Sequence, residues 1–153
     1  MKILMKLRSN IHSLEDVILL FHILVMASII PIMTRHLSIL RLMNVFTPKK
    51  VIYLKNIEEQ KRKIVKYTDF VLGFCPLIWK QTCLKRSLIL FYFLKKFAID
   101  VRICFGTRYS NKIPKIISIK NIEGHAWLMH NGKIVLEKNI EMTKTFTMTY
   151  VFP

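Results

Sequence analysis

The spacing of the apolar residues changes at Asp100, and this change limits the folds available to the chain. Before Asp100 the apolar residues recur at helical spacing. After it, short segments rich in β-formers alternate apolar and polar residues, over 101–108, 115–120, 125–137 and 144–152. Helices followed by antiparallel strands predict an α+β fold. At 153 residues the chain suits a single domain, 1–153.

End signals predict four helices in the first part of the chain. Ser13 followed by Asp16 has the pattern of a capping box, and the helix that it opens is predicted to stop near Pro31. Thr34 is the candidate N-cap of a second helix, which ends before Pro48. The third and fourth helices are predicted from Asn56 to Gly73 and over residues 82–97.

The charge and one apolar segment bear on partners and location. The formal net charge is +16, which favours nucleic acid, an anionic lipid surface or an acidic peptide, although a solvated lysine-rich surface is the simpler explanation. Residues 17–34 carry no charge, and the length of this segment is at the lower limit for a helix that spans a membrane. We interpret this segment as a buried or surface-docked helix, with membrane contact as the alternative.

Three cysteines cannot all pair, and none has the short spacing of a zinc site. A reduced setting therefore fits, and we expect a cytoplasmic or membrane-peripheral protein. Cys83 is the best-placed nucleophile: if Thr82 caps the fourth helix, the helix dipole stabilises a thiolate at its first position. The alternative is that Cys83 is a small buried residue. We expect Cys104 to be a buried filler, and Cys75 has no activating feature.

A histidine and a glutamate on one predicted hairpin could complete such a site. Side chains alternate along strands, so His125 and Glu137 share a face only if opposing residue numbers have an even sum. A two-residue Asn131-Gly132 turn gives an odd sum. A three-residue loop with a bulge at Gly132 pairs Met129 with Lys133 and sets His125 opposite Glu137. The chemistry therefore predicts a bulged hairpin.

The other histidines fit a catalytic role less well. His130 is predicted to face away from His125, and His12, His22 and His36 lie in the helical half with no acidic partner at useful spacing. We interpret all four as structural or surface residues.

Two stretches of the sequence, CLKRSLILFYFLKKFAIDVRICFGTR and GHAWLMHNGKIVLE, together resemble the transglutaminase-like cysteine-peptidase domain of lasso-peptide biosynthesis B proteins, which remove leader peptides. The matching residues are Cys83, Leu84, Arg86, Ser87, Gly106, Arg108, His125, Ala126, Trp127 and Glu137. The chain departs from the pattern at Thr107, at Leu128-Met129, and in a longer link between Arg108 and His125.

The resemblance implies a papain/transglutaminase-like core over 75–153, preceded by a helical lobe over 1–74. It implies a triad of Cys83, His125 and Glu137 that cleaves the leader through an acyl-enzyme. Trp79 and Gln81 are tentative donors to the oxyanion hole. Arg86 and Trp127 are tentative substrate-binding residues.

The resemblance also implies partners. These are a precursor peptide, a separate leader-recognition protein and a lasso cyclase; we expect no nucleic acid. No cofactor or metal is evident, and a nucleotide requirement stays open. Two alternative functions remain at this point: a triad-based acyl transferase or transglutaminase, and a catalytically inert basic binding or membrane-peripheral protein.

Overall fold

The computed structural model describes residues 13–53, 56–74, 82–109 and 122–153. Helices over these ranges are α1 Leu14–His36, α2 Ile39–Phe46, α3 Ile57–Phe74, α4 Cys83–Lys96 and α5 Ile140–Lys144. The strands are β1 Arg102–Tyr109, β2 Ile122–His130, β3 Lys133–Val135 and β4 Thr147–Phe152. The predicted α+β fold is confirmed: the long helices come first and an antiparallel sheet follows. The predicted strand over 115–120 lies outside the described residues.

Helix α1 begins where the sequence predicted but ends later. The Ser13 hydroxyl accepts the Asp16 backbone N–H at 3.2 Å, which confirms the N-cap. The predicted stop near Pro31 is wrong, because a proline removes only one ladder hydrogen bond and α1 continues to His36. Thr34 is therefore inside α1, where its hydroxyl donates to the Pro31 carbonyl, and the N-cap of α2 is Ser38.

The other predicted helix ends agree with the structure. Helix α2 ends before Thr47, and α3 follows Asn56, whose side chain donates to Glu59 at 3.3 Å. Thr82 caps α4, because its hydroxyl accepts the Lys85 backbone N–H at 3.2 Å. The chain thus places Cys83 at the first position of α4, as predicted.

The four strands form one sheet in the order β3-β2-β1-β4, so the C-terminal strand lies at an edge. Helix α4 packs on β1 and β2, and its other side packs on the N-terminal helices α1 and α3. The core is continuous through these layers and includes Leu88, Phe91, Ile103 and Leu128. The helix that starts at Cys83 is therefore held from both sides.

The hairpin between β2 and β3 has a two-residue turn. His130 pairs with Lys133, and Asn131 and Gly132 have φ values of 49° and 74°. The predicted three-residue loop, with Met129 opposite Lys133, is wrong. Asn-Gly is the sequence that most readily places two successive residues in the left-handed region, and this turn matches the twist of the strands it joins.

Helix α1 is the one element of the described chain that is long and apolar enough to cross a membrane, by length and composition alone. Only 17 % of its most apolar 18-residue window is buried inside the protein. Its buried residues form a narrow stripe: Asp16, Ile23, Ala27 and Ile30. Most of the outward surface of α1 is thus apolar and accessible.

Candidate active site

The first turn of α4 presents a free, half-buried thiol. Cys83 is the first residue of this helix, directly after the Thr82 cap. Backbone N–H groups in a first turn lack helical carbonyl partners, and the helix dipole is positive at this end. Helix N-termini with these two features are places where anionic groups bind. Cys104, by contrast, is fully buried in β1, as predicted, and burial raises the pKa of its thiol.

A buried hydrogen bond ties this helix to the strand that carries His125. The Ser87 hydroxyl donates to the Ala126 carbonyl at 2.9 Å. Ser87 lies one turn after Cys83 on the same helical face, and Ala126 directly follows His125. The thiol-bearing turn and the imidazole-bearing strand are therefore neighbours in the fold.

Arg86 ties the same turn to the segment that carries Glu137. Its Nε donates to Asp69 Oδ1 at 2.7 Å, and its Nη1 donates to the Leu136 carbonyl at 2.6 Å. Arg86 is buried, and its guanidinium group binds other residues of the same protein. These contacts favour a positioning role, while the substrate-binding role stays a prediction.

The structure brings His125 and Glu137 together. His125 Nε2 lies 3.6 Å from Glu137 Oε2, and the two side chains are only 8 % and 13 % exposed. This distance is long for a hydrogen bond but within ion-pair range. Two of the three residues proposed for the triad are thus in contact at a nearly buried position.

Leu136 explains how they meet despite the two-residue turn. With that turn, regular pairing would point Glu137 to the opposite face from His125. Strand β3 instead ends at Val135, and Leu136 adopts a φ of 57°. One residue in the left-handed region changes the direction of the next side chain. A bulge at the turn was predicted to bring Glu137 to the same face as His125. In the structure, Leu136 does this instead, directly after β3.

Thr143 adds a contact that the sequence did not indicate. Its hydroxyl lies 3.2 Å from His125 Nε2 and donates to the Asn139 carbonyl at 3.0 Å. A hydroxyl has one hydrogen, so toward the imidazole it accepts, and we assign the Nε2–H tautomer to His125. Nδ1 then carries the lone pair. The sequence did contain one sign of the helix that carries Thr143. Asn139 is a typical N-cap residue, and it caps α5.

The surroundings of His125 favour the neutral imidazole. Burial is the main cause that lowers the His125 pKa below its ordinary value; Glu137 opposes this effect, and Arg108 adds to it. The ring stacks on Trp127 at 5.8 Å between centroids and lies 5.0 Å from the Phe146 ring. A neutral His125 can accept a proton, which a general base must do.

In a comparison with protein-family models, residues 26–151 match the transglutaminase-like superfamily. The chain belongs to the transglutaminase-like superfamily. Enzymes of this superfamily are usually cysteine proteases or acyltransferases, and the superfamily fits the papain-like core. No curated protein and no solved structure matched the chain.

Trp127 is packed into this transglutaminase-like core. The indole lies over Gly106, where a Cβ added to the glycine would be 2.7 Å from Trp127 Cη2. Glycine at position 106 thus makes room for the ring beside His125. The buried Nε1 has no hydrogen-bond partner among the described residues. The substrate-binding role of Trp127 stays a prediction.

Arg108 closes the other side of the site. It pairs with Glu123 at 2.8 Å, donates to the Thr145 hydroxyl at 2.7 Å and lies 4.4 Å from the centroid of the Phe146 ring. These contacts hold Phe146 against His125. The arginine of the Gly-Thr-Arg sequence is therefore a support for the imidazole's surroundings.

Two predicted features of the site are not seen among the described residues. Within the described ranges, no hydrogen bond joins Cys83 to His125. Trp79 and Gln81, the tentative oxyanion donors, lie outside the described residues. The same ranges contain no cluster of three or more Cys, His, Asp or Glu side chains that could hold a metal ion.

The remaining histidines have other surroundings. His130, the last residue of β2, has its Nδ1 2.6 Å from the Asp100 carbonyl. His22 and His36 are exposed on α1. His12 lies outside the described residues.

Proposed function

We propose that this protein is a cysteine peptidase that removes the leader from a ribosomally synthesised lasso-peptide precursor. The observation that carries the proposal is the buried His125–Glu137 pair, 3.6 Å apart, beside the helix that begins at Cys83. The superfamily match supports a cysteine-based enzyme. The choice of substrate rests on the sequence motifs around Cys83 and His125.

The reaction uses the lone pair that the tautomer leaves on Nδ1. The Cys83 thiol gives its proton to this nitrogen, and the sulfur attacks the scissile carbonyl. The imidazolium then protonates the leaving amine, which departs as the new N-terminus of the core peptide. Water, losing a proton to the same nitrogen, attacks the thioester and releases the leader as a carboxylic acid.

Glu137 and Thr143 act on the other nitrogen. Thr143 accepts the Nε2–H, which favours the tautomer whose Nδ1 is free to take the thiol proton. Glu137 stabilises the positive ring that forms after the first proton transfer. Both groups therefore lower the energy of the charged intermediate without contacting the substrate.

The proposal includes partners and a location. A separate leader-recognition protein presents the precursor, and a lasso cyclase uses the released core peptide. The precursor is made in the cytoplasm, where we place this enzyme. The chain's own residues supply the nucleophile and the base of the cleavage step.

Acyl transfer to an amine is the second candidate, because the superfamily includes acyltransferases. The same thioester would react with an amine instead of water. A third candidate is an inert binding protein, which the absence of a Cys83–His125 hydrogen bond among the described residues favours. Catalytic hydrogen bonds are often long before substrate binds, which is consistent with an active enzyme too.

The test is cleavage of a candidate precursor, with its leader-binding partner, by the wild type and by Cys83→Ala. Cys104→Ala is the matched control, because this thiol is buried in β1 away from the helix terminus. We expect one defined cut that Cys83→Ala abolishes and the control retains. Added hydroxylamine would yield a hydroxamate if transfer competes with hydrolysis. Equal processing by both variants would contradict the proposal.

A further inference from the structure

The exposed surface of α1 is mostly apolar, with Glu15, His22 and Ser28 as exposed polar residues before Pro31. The exposed large side chains are Leu14, Val17, Ile18, Phe21, Leu24, Val25, Ile29 and Ile32. At 1.5 Å per residue, the apolar 18-residue window extends for about 27 Å. A helix that is apolar all round is normally buried in a core or in lipid. Helix α1 has a core on one side only.

The buried stripe of α1 excludes a free spanning helix. Asp16 is buried and pairs with Lys63 of α3 at 3.4 Å. Ile23, Ala27 and Ile30 are fully buried in the same core as α4. To cross a membrane, α1 would have to leave this core and expose it. The helix can instead present its outward face while it stays attached to the domain.

The net charge of the chain indicates which kind of surface could cover the apolar face of α1. The net charge of +16 opposes a second copy of the chain and favours an anionic surface. Exposed cations follow the apolar face in the chain, at Arg35, Arg41, Lys49 and Lys50. Exposed apolar side chains and exposed cations are the two features that hold a protein at an anionic bilayer surface.

We propose that α1 lies in the interface of an anionic bilayer, with its outward face among the acyl chains and the following cations at the headgroups. This would keep the protein at the membrane without a spanning segment. The docking face is on α1, whereas the His125 site is on the sheet, so the two functions can be tested separately.

The experiment is sedimentation of the full-length protein with vesicles, either equal parts phosphatidylglycerol and phosphatidylcholine or phosphatidylcholine alone. We expect binding to the anionic vesicles, at least tenfold weaker binding to neutral ones, and weakening at high salt. Phe21→Glu, or Ile32→Glu as a second variant, should reduce binding at least tenfold. Met148→Glu is the matched control: this β4 side chain is 50 % exposed, against 62 % for Phe21, and the charge change is the same.

Several outcomes would overturn this inference. One is a wild type that stays in solution with both kinds of vesicle. Another is a Phe21→Glu variant that binds as well as the control. A third is a loss of binding to the leader-recognition protein, but not to vesicles, in the Phe21→Glu and Ile32→Glu variants. That result would identify a protein as the partner that covers this face.

A second inference concerns Arg86, is carried by different observations, and rests on the proposed function. A positive φ is unfavourable for a residue with a bulky side chain, yet the φ of Leu136 is 57°. The Arg86 Nη1 donates to its carbonyl at 2.6 Å, while Asp69 accepts from Nε at 2.7 Å and from Nη2 at 3.4 Å. A planar fork can make these contacts together, and an ammonium cannot.

We infer that Arg86 is a positioning residue that holds Leu136 in the left-handed conformation and so keeps Glu137 against His125. Its contact is with the backbone just before the acid, not with the substrate. The test reads the His125 titration by NMR, because a role in general stability would not shift it. This readout does not depend on peptidase activity, so it separates failure of this inference from failure of the proposed function.

Arg86→Lys should lower the His125 pKa in the same direction as Glu137→Gln, since either change removes the carboxylate's effect. Adding Leu136→Gly should restore the wild-type titration, because glycine adopts a positive φ without support. Asp69→Asn is a milder variant if Arg86→Lys does not fold. An unchanged His125 titration in Arg86→Lys, with a clear shift in Glu137→Gln, would overturn the inference.

Discussion

The Ser87 hydroxyl and the Ala126 carbonyl are joined by a buried hydrogen bond of 2.9 Å between the thiol-bearing helix and the imidazole-bearing strand. Ser87→Ala would leave this carbonyl without its donor. We expect a loss of about 1–2 kcal/mol in the free energy of unfolding. Urea denaturation would measure it. The control is Ser28→Ala, whose exposed hydroxyl donates within its own helix and should matter little. Equal stability of the two variants would argue against a structural link.

Gly106 and Trp127 should be sensitive to a single methyl group. A Cβ at position 106 would lie 2.7 Å from Trp127 Cη2 and 2.8 Å from the Thr147 carbonyl. We expect Gly106→Ala to cost about 1–3 kcal/mol and to displace the indole. Thermal unfolding and tryptophan fluorescence would detect these effects. Gly124→Ala, on the next strand with nothing within 4 Å, is the control and should leave both unchanged.

The acid stability of the protein should depend on His125. Burial lowers its folded pKa below the unfolded value of 6.5, so the folded protein binds this proton less readily. The contribution of His125 to stability is complete above pH 6.5 and is lost as the pH falls through the folded pKa. Glu137→Gln should lower the folded pKa further and increase this loss. NMR titration and unfolding between about pH 4 and 7 would check both, with His130→Gln to assign the signals.

The two described cysteines should differ in reactivity. Cys83 is half-buried at a helix N-terminus, whereas Cys104 is fully buried and its pKa is raised by burial. We expect iodoacetamide to modify Cys83 at least tenfold faster in the folded protein. Mass spectrometry of digested samples would give both rates. Denatured protein, in which the two rates should converge, is the control. Faster labelling of Cys104 would contradict the described packing.

Several elements could be predicted because their signals are local. Ser13 and Thr82 are N-caps, Asp100 precedes the change from helix to strand, and Cys83 opens its helix as expected. Each depends on a few neighbouring residues. The end of α1 could not be predicted from Pro31, because packing of the residues around it against the core outweighs one lost hydrogen bond.

The parts of the site that the sequence did not reveal depend on distant contacts. The left-handed conformation of Leu136 accompanies a hydrogen bond from Arg86, which lies 50 residues earlier in the chain. Thr143 reaches His125 through a short helix that has no periodicity to detect. Chemistry indicated that the acid and base should share a face. It did not indicate which residue would make them do so.

The position of Leu136 has a consequence for how this hairpin can vary in evolution. A side chain on a strand lies on one of only two faces of the sheet. One irregular residue brings Glu137 to the face of His125, and a second would return it to the opposite face. A homologue with a three-residue turn should therefore have an extended residue where this chain has Leu136. Loop insertions at the tip and the conformation after β3 should then covary across the superfamily.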